Sequence, residues 1–316
     1  MYKDKSIAAT VPAYNEQDLI GHVIEIMPDY VDLVVVVDDA SHDKTSEIVQ
    51  SYCEDASHKV ILIRHETNQG VGGAILSGHR RAMAEGADII AVMAGDAQMD
   101  PDDLPRLLDP IVAGRADYVK GNRFINGEAW RYMPKIRYFA NATLSMLNKI
   151  VSGYWHISDP QCGYTVITRH ALELLEFDKI DKRYFFENSL LVQLNVLGQR
   201  VVDVPVRAIY GVGESSGIRY GRTFLRFSLQ LGRSFFKRLT EKYIIRDFHP
   251  LVLFYLFGLL LFPFGLIFGM YLFIFRLLGG VVAATSALFA TFLTTFGIQF
   301  LLFAMLFDKD YKHPYQ

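Results

Sequence analysis

Four polar clusters in the first 101 residues carry the side chains most able to do chemistry, and each follows a short apolar run. They are Pro12-Ala13-Tyr14-Asn15-Glu16, Asp38-Asp39-Ala40-Ser41-His42-Asp43, Asn68-Gln69-Gly70-Val71-Gly72-Gly73-Ala74 and Gly95-Asp96-Ala97-Gln98-Met99-Asp100-Pro101. Carboxylates so placed accept hydrogen bonds from ribose hydroxyls or from a base N–H. Glycines ahead of a helix let phosphate or sugar approach the backbone. Asp96 with Gln98 offers hard oxygen ligands, suited to Mg2+ or Mn2+ bridging a diphosphate. Taken singly, each cluster has a plainer explanation. Asp38, Asp39 and Asp43 also suit a strand end and a helix cap, and Asp96 a turn. Gly70 to Gly73 fail the full G-x-G-x-x-G spacing of a dinucleotide fingerprint. It is the combination of four in one sheet that points to a ligand.

The elements that must position them alternate at short pitch. Strands are expected at residues 6–12, 33–37, 60–64 and 89–94, and helices at 15–27, 43–53, 70–86 and 102–113. The β-branched run at 33–37 has the composition of a strand buried on both faces. Such alternation predicts an α/β fold with a mostly parallel sheet, whose ligands sit beyond the carboxyl ends of the strands.

Two apolar runs, 251–275 and 281–307, each exceed the roughly 20 residues that a helix needs to cross a bilayer. With only 276–280 between them, they predict a membrane hairpin. Arg219, Arg222, Arg226, Arg233, Lys237, Arg238, Lys242 and Arg246 precede the first run, and Lys309 and Lys312 follow the second, which places both flanks in the cytoplasm. The stretch 223–245 mixes bases with aromatic and aliphatic residues at near-helical spacing, as an interfacial amphipathic helix does. Gly297 and the small residues Ala283, Ala284, Ser286 and Ala287 suit close helix packing, within the chain or in a homo-oligomer. The net charge of -2 argues against a general nucleic-acid binder. Two cysteines, Cys53 and Cys162, form no disulfide framework or metal cluster, as in a reducing compartment. Residues 1–7 are too polar for a secretory signal peptide. The expected layout is a catalytic domain over 1–222, the amphipathic segment over 223–247, the hairpin over 248–307 and a cytoplasmic tail over 308–316.

The four clusters recur in order with Gly121-Asn122-Arg123-Phe124, Asp159-Pro160-Gln161-Cys162-Gly163-Tyr164, Phe186-Glu187, Val204-Pro205-Val206 and Gly213-Glu214-Ser215-Ser216. With them the chain resembles a family 2 glycosyltransferase of the GT-A fold, in the polyprenyl-phosphate (dolichyl-phosphate mannose synthase-like) branch with two C-terminal transmembrane helices. The resemblance implies that Pro12, Tyr14, Glu16, Asp39, Gly73, Asp96 and Ala97 bind the donor. It implies that Asp96 and Gln98 hold Mg2+ or Mn2+. Asp96, Asp159, Arg123 and Arg137 would serve the reaction, and Arg131, Arg137, Ser216 and Arg219 the acceptor phosphate, with Arg222 a further cation. Two positions depart from the pattern: Ala94 stands where the first Asp of D-x-D is expected, and Cys162 where Ser or Thr is.

The implied reaction is inverting transfer of a hexosyl group from a nucleoside diphosphate sugar to undecaprenyl or dolichyl phosphate. A UDP-sugar is favoured over GDP-mannose. A phosphate monoester has a second pKa near ~6 and needs little help from a base. Asp159 is therefore expected mainly to orient, with general-base catalysis the lesser reading. Other readings are a processive polysaccharide synthase, disfavoured by the lack of Q-x-x-R-W, and an inactive membrane-tethered nucleotide-sugar binding protein, suggested by Ala94. A transporter is disfavoured because 251–275 and 281–307 hold no acidic residue or histidine.

Overall fold

The structure is a computed structural model describing residues 1–54, 59–125, 135–183, 185–207 and 220–311, without the side chains of 135–141 and 220–226. The chain divides into two compact units, Met1–Phe235 and Phe236–Gln316.

The first unit is built on a seven-stranded sheet: β1 (Ile7–Ala13), β2 (Leu33–Asp38), β3 (Lys59–Arg64), β4 (Ile89–Val92), β5 (Tyr118–Asn122), β6 (Thr165–Thr168) and β7 (Val201–Pro205). Their order is β3-β2-β1-β4-β6-β5-β7, and only β6 runs against its neighbours. The helices are α1 (Ile20–Glu25), α2 (Thr45–Cys53), α3 (Val71–Ala84), α4 (Leu104–Val112), α5 (Lys135–Ser152), α6 (Arg169–Leu174), α7 (Phe186–Val196) and α8 (Tyr220–Arg238).

All six residues of β2 are buried, and its alternation explains why. Val34 and Val36 join the core that contains Ile20 and Val23 of α1 and Leu107 and Leu108 of α4. Leu33, Val35 and Val37 join the opposite core, with Ile75 and Leu76 of α3 and Leu190, Leu191 and Leu194 of α7. A strand covered on both sides must be apolar at every position, and each such side chain contributes roughly 1.5–3 kcal/mol by its burial.

Two expected boundaries move. The first helix, expected over 15–27, is confined to Ile20–Glu25 because the residues just before it are drawn into the loop after β2. The fourth strand stops at Val92, which frees the Ala94-Gly95-Asp96 backbone to turn. A short 3-10 turn, Pro101–Asp103, precedes α4.

In the second unit, α9 (Leu251–Leu277) and α10 (Ala284–Asp310) have mean hydropathies of 2.5 and 1.8 over their most apolar windows. Only 22 % of each window is buried, unlike the core helix of a soluble protein. The two are long and apolar enough to cross a membrane, and they touch backbone to backbone. A Cβ on Gly297 would lie 2.3 Å from the Phe262 nitrogen, and one on Gly265 would lie 2.6 Å from that of Thr294. The close packing thus falls at mid-helix glycines, Gly297 among them.

The amphipathic segment also differs from expectation. It is α-helical to Arg238 and then π-helical over Leu239–Arg246. The wider turn lets two residues five positions apart meet one partner. Arg238 donates to both oxygens of Asp308, at 2.7 and 2.9 Å, and the Tyr243 hydroxyl donates to the same carboxylate. Both charges are wholly buried. The Lys242 ammonium lies 5.2 and 4.8 Å from the Tyr243 and Tyr311 ring centres.

Candidate active site

Main-chain N–H groups and short polar side chains stitch the first two strand-end loops together. Asn15 N–H donates to Ser41 Oγ and His42 N–H to Asn15 Oδ1, both at 2.9 Å, and Glu16 N–H donates to Thr45 Oγ1 at 2.9 Å. Asn15, Ala40 and Ala97, one in each of three strand-end loops, adopt φ of 56°, 64° and 56°. Left-handed backbone costs a non-glycine residue roughly 1–2 kcal/mol, so three such turns mark backbone shaped for more than stability.

The paired aspartates divide their roles. Asp38 is structural: it accepts from Ser41 N–H at 2.8 Å and from the Ser46 hydroxyl. Asp43 braces the entry to α2, accepting from Thr45 N–H at 3.0 Å and from the Thr45 hydroxyl at 2.6 Å. Asp39 instead faces the loop after β3. Its Oδ1 accepts from Gln69 N–H at 2.8 Å and pairs with His65 Nδ1 at 2.7 Å, while Oδ2 accepts from Gly70 N–H at 2.7 Å. An ionised carboxylate has about four acceptor directions, so three bonds leave room for one more on Oδ2. Gly70 is required there. Its φ is 90°, and a Cβ would meet the Lys182 carbonyl oxygen at 2.7 Å.

These loops enclose a cavity of about 470 Å3 at the carboxyl ends of the parallel strands. Pro12, Tyr14, Glu16, Asp39 and Asp96, all expected at a donor, line it together with Gly70, Ala94 and Gly95. Tyr14 is 44 % exposed there and offers an aromatic face. Gly73, Ala97 and Gln98 do not contribute to the wall. Gly73 N–H is taken by the Lys182 carbonyl at 3.0 Å. Ala97 forms the left-handed turn between Asp96 and Gln98, closed by Gln98 N–H on Asp96 Oδ1 at 3.1 Å.

Asn68 and Arg183 also line the cavity, and Arg183 belongs to none of the motifs in the sequence. Arg183 Nη2 reaches the Asn68 carbonyl at 3.4 Å. The only hint in the chain is its place four residues ahead of Glu187, in a motif already noted.

Electrostatics mark the cavity as cation-seeking. Burial and the neighbouring charges of Asp96 and Asp43 push the Glu16 carboxyl up to about 7. A divalent ion suits this setting, since Asp96 presents carboxylate oxygen on the cavity wall beside Glu16. Among the described residues no three His, Cys, Asp or Glu side chains form a cluster able to hold a metal alone, so the remaining ligands would be diphosphate oxygens and water. Glu16 gives a direct pH signature. Its folded pKa lies above the ordinary value, so the folded state keeps a proton that the unfolded chain sheds. Stability therefore falls as pH rises from about 4.5 to about 7. Glu16→Gln is expected to raise the melting temperature at pH 8 by on the order of 2 °C, after allowance for solvent screening, and to leave it unchanged at pH 4.5. Thermal scans with chelator present check this; an equal shift at both pH values would contradict it.

A second charged group lies at the end of β5. Arg123 grips Asp159 with Nε on Oδ2 at 2.7 Å, Nη2 on Oδ1 at 3.0 Å and its own N–H on Oδ2 at 3.2 Å. Asp159 is buried and Arg123 partly exposed. Both carboxylate oxygens of Asp159 are thereby engaged with one guanidinium. Arg137 lies in the first turn of α5, where its side chain is outside the described set, and Arg131, Ser216 and Arg219 lie outside the described residues.

Known proteins are similar to this chain in sequence and in fold. UDP-N-acetylglucosamine–dolichyl-phosphate N-acetylglucosaminyltransferase of Methanococcus voltae is 32 % identical over 219 residues, 66 % of this chain and 87 % of that protein. Undecaprenyl-phosphate mannosyltransferase of Micrococcus luteus is 30 % identical over 206 residues, 63 % of this chain and 82 % of that one. The crystal structure of glucosyl-3-phosphoglycerate synthase from Mycobacterium tuberculosis, with Mn2+, UDP and phosphoglyceric acid, superposes with a TM-score of 0.53 at 19 % identity. It covers 74 % of this chain and 78 % of that one, and shows the shared GT-A fold. Residues 9–175 match the family described as glycosyl transferase family 2. With that match over more than half its length, the chain belongs to glycosyl transferase family 2 and is a glycosyltransferase.

Proposed function

We propose that the protein moves a hexosyl group from a nucleoside diphosphate sugar, a UDP-sugar in the first instance, to a polyprenyl phosphate, with inversion at the anomeric carbon. The observation that carries this reading is a cavity walled by Asp39, Asp96, Glu16 and Tyr14 at the strand ends of a chain that also has two membrane-length helices. The names of the relatives from Methanococcus voltae and Micrococcus luteus support a polyprenyl acceptor.

In this reading Tyr14 gives the base an apolar face, and Asp39 accepts one further hydrogen bond from base or ribose. A divalent ion held by Asp96 and Gln98 would offset charge on the leaving diphosphate. The acceptor phosphate, largely dianionic at pH 7, attacks without a strong base. Asp159, with both oxygens held by Arg123, orients that fork toward phosphate rather than taking a proton. The catalytic unit lies in the cytoplasm: Arg233, Lys237, Lys242 and Arg246 precede α9 and Lys309 ends α10, while the opposite end of the hairpin carries only Arg276, in the last turn of α9.

The test is donor turnover by the full chain in liposomes containing undecaprenyl or dolichyl phosphate. Nucleoside diphosphate release should require both the lipid phosphate and Mg2+ or Mn2+, and should stop with EDTA. Mass spectrometry should find a phosphate-linked monosaccharide on the lipid. Donor binding without lipid-dependent release would favour the tethered binding protein, and a polymeric product the synthase.

A further inference from the structure

Lys120 stands in the middle of β5 with none of its surface exposed. Its ammonium donates to the Cys162 carbonyl and to Glu187 Oε2, the latter at 2.8 Å. Burial opposes the charge, but Glu187 and other neighbours hold the lysine pKa above its ordinary value. An ion pair so deeply placed is a poor source of stability, because desolvation consumes most of the attraction; matched apolar side chains are often neutral or better. Two further buried side-chain amides, Asn148 on α5 and Asn188 on α7, have no hydrogen-bond partner among the described residues.

What the pair touches gives it a use. Residues 159–164 are fixed to β5 at three points: Arg123 on Asp159, Lys120 on the Cys162 carbonyl, and Gly121 N–H on the Tyr164 carbonyl at 2.8 Å. Glu187 lies in the first turn of α7 and follows the segment that contains Arg183 of the cavity wall and Lys182, whose carbonyl holds Gly73 N–H. Lys120 therefore ties the loop bearing Asp159 to the segment bearing Arg183.

We propose that Lys120 and Glu187 form a positioning pair for glycosyl transfer, holding the Asp159–Cys162 turn, and through it the Arg123 fork, in register with the donor-side segment. This rests on the reading of Arg123 and the cavity given above. Misplacement of a reacting group by roughly 1 Å can cost about 100-fold in rate. The pair is thus a device for registration, and its removal should separate stability from turnover.

The experiment uses the full-length protein in nanodiscs and the double variant Lys120→Met, Glu187→Met, which leaves no unpaired buried charge. Lys120→Arg, which keeps the charge, is the conservative comparison. Binding of UDP and of GDP, each with Mn2+, should stay within about 3-fold of the parent, while kcat falls about 50-fold and Lys120→Arg recovers part of it. A second readout needs no turnover. In a Cys53→Ser background, labelling of the buried Cys162 thiol by a maleimide should speed up at least about 10-fold once the turn is released. Parental labelling and parental kcat in the double variant would overturn the proposal, as would joint loss of folding and nucleotide binding in both variants, which would make the pair a fold element. Absence of lipid-dependent product from the unaltered protein would instead refute the functional reading, and the labelling result would still decide the pair.

Discussion

Asp96→Asn is expected to lower kcat/KM by about 1,000-fold while the protein stays folded. The amide keeps an oxygen for the hydrogen bond from Gln98 N–H that now closes on Asp96 Oδ1, so the left-handed turn at Ala97 persists. What disappears is the one carboxylate of the D-x-D region, since Ala94 supplies none. Charge neutralisation at a leaving diphosphate contributes several kcal/mol to a transition state, which sets the size of the loss. The same change should ease Glu16. With the Asp96 charge gone, one of the influences raising the Glu16 pKa goes too, so the melting temperature at pH 8 with chelator should hold or rise. Steady-state kinetics and thermal scans on one preparation check both. Retention of parental kcat/KM would remove Asp96 from the reaction.

The second large effect concerns Arg123. Arg123→Ala should lower kcat by about 1,000-fold and destabilise the first unit by about 3 kcal/mol, because Asp159 would remain buried without its counter-charge. Arg123→Lys separates the two consequences. An ammonium restores a charge near Asp159 and so most of the stability, but it cannot reproduce the two-point grip of Nε and Nη2. Its kcat should still fall by about 100-fold. Denaturant melts give the stability term and lipid-product formation the rate. A lysine variant as fast as the parent would show that charge alone suffices and the fork is incidental.

The parallel sheet was visible in advance because β2 is apolar at all six positions except its terminal Asp38, and only a strand covered on both faces has that composition. Loop chemistry at the strand ends was legible for the same reason: Pro12, Tyr14, Glu16, Asp39 and Asp96 follow apolar runs directly, and the sheet brings them to one rim. Chain position alone could not say which aspartate faces the cavity. Asp38 and Asp39 are neighbours, and only the alternating side-chain direction sends one to Ser41 and the other to Gly70. Arg183 escaped notice because its arrival at Asn68 spans 115 residues and depends on where α7 docks. Lys120 escaped for a related reason. A lysine inside a strand suggests an edge or a solvent face, and here a carboxylate 67 residues away permits its burial. Asp308 sits one residue beyond the expected end of the second apolar run, and its partner Arg238 lies ahead of the first.

That last pair bears on how the protein is made. Arg238 leaves the ribosome 70 residues ahead of Asp308, so the latch closes only after both apolar helices have been synthesised. A nascent chain halted just short of Asp308 would have nearly all of both apolar helices and would lack both oxygens that hold the guanidinium. An incomplete chain and a finished one therefore differ in whether the Arg238 guanidinium has its counter-charge, on the strength of a single late carboxylate.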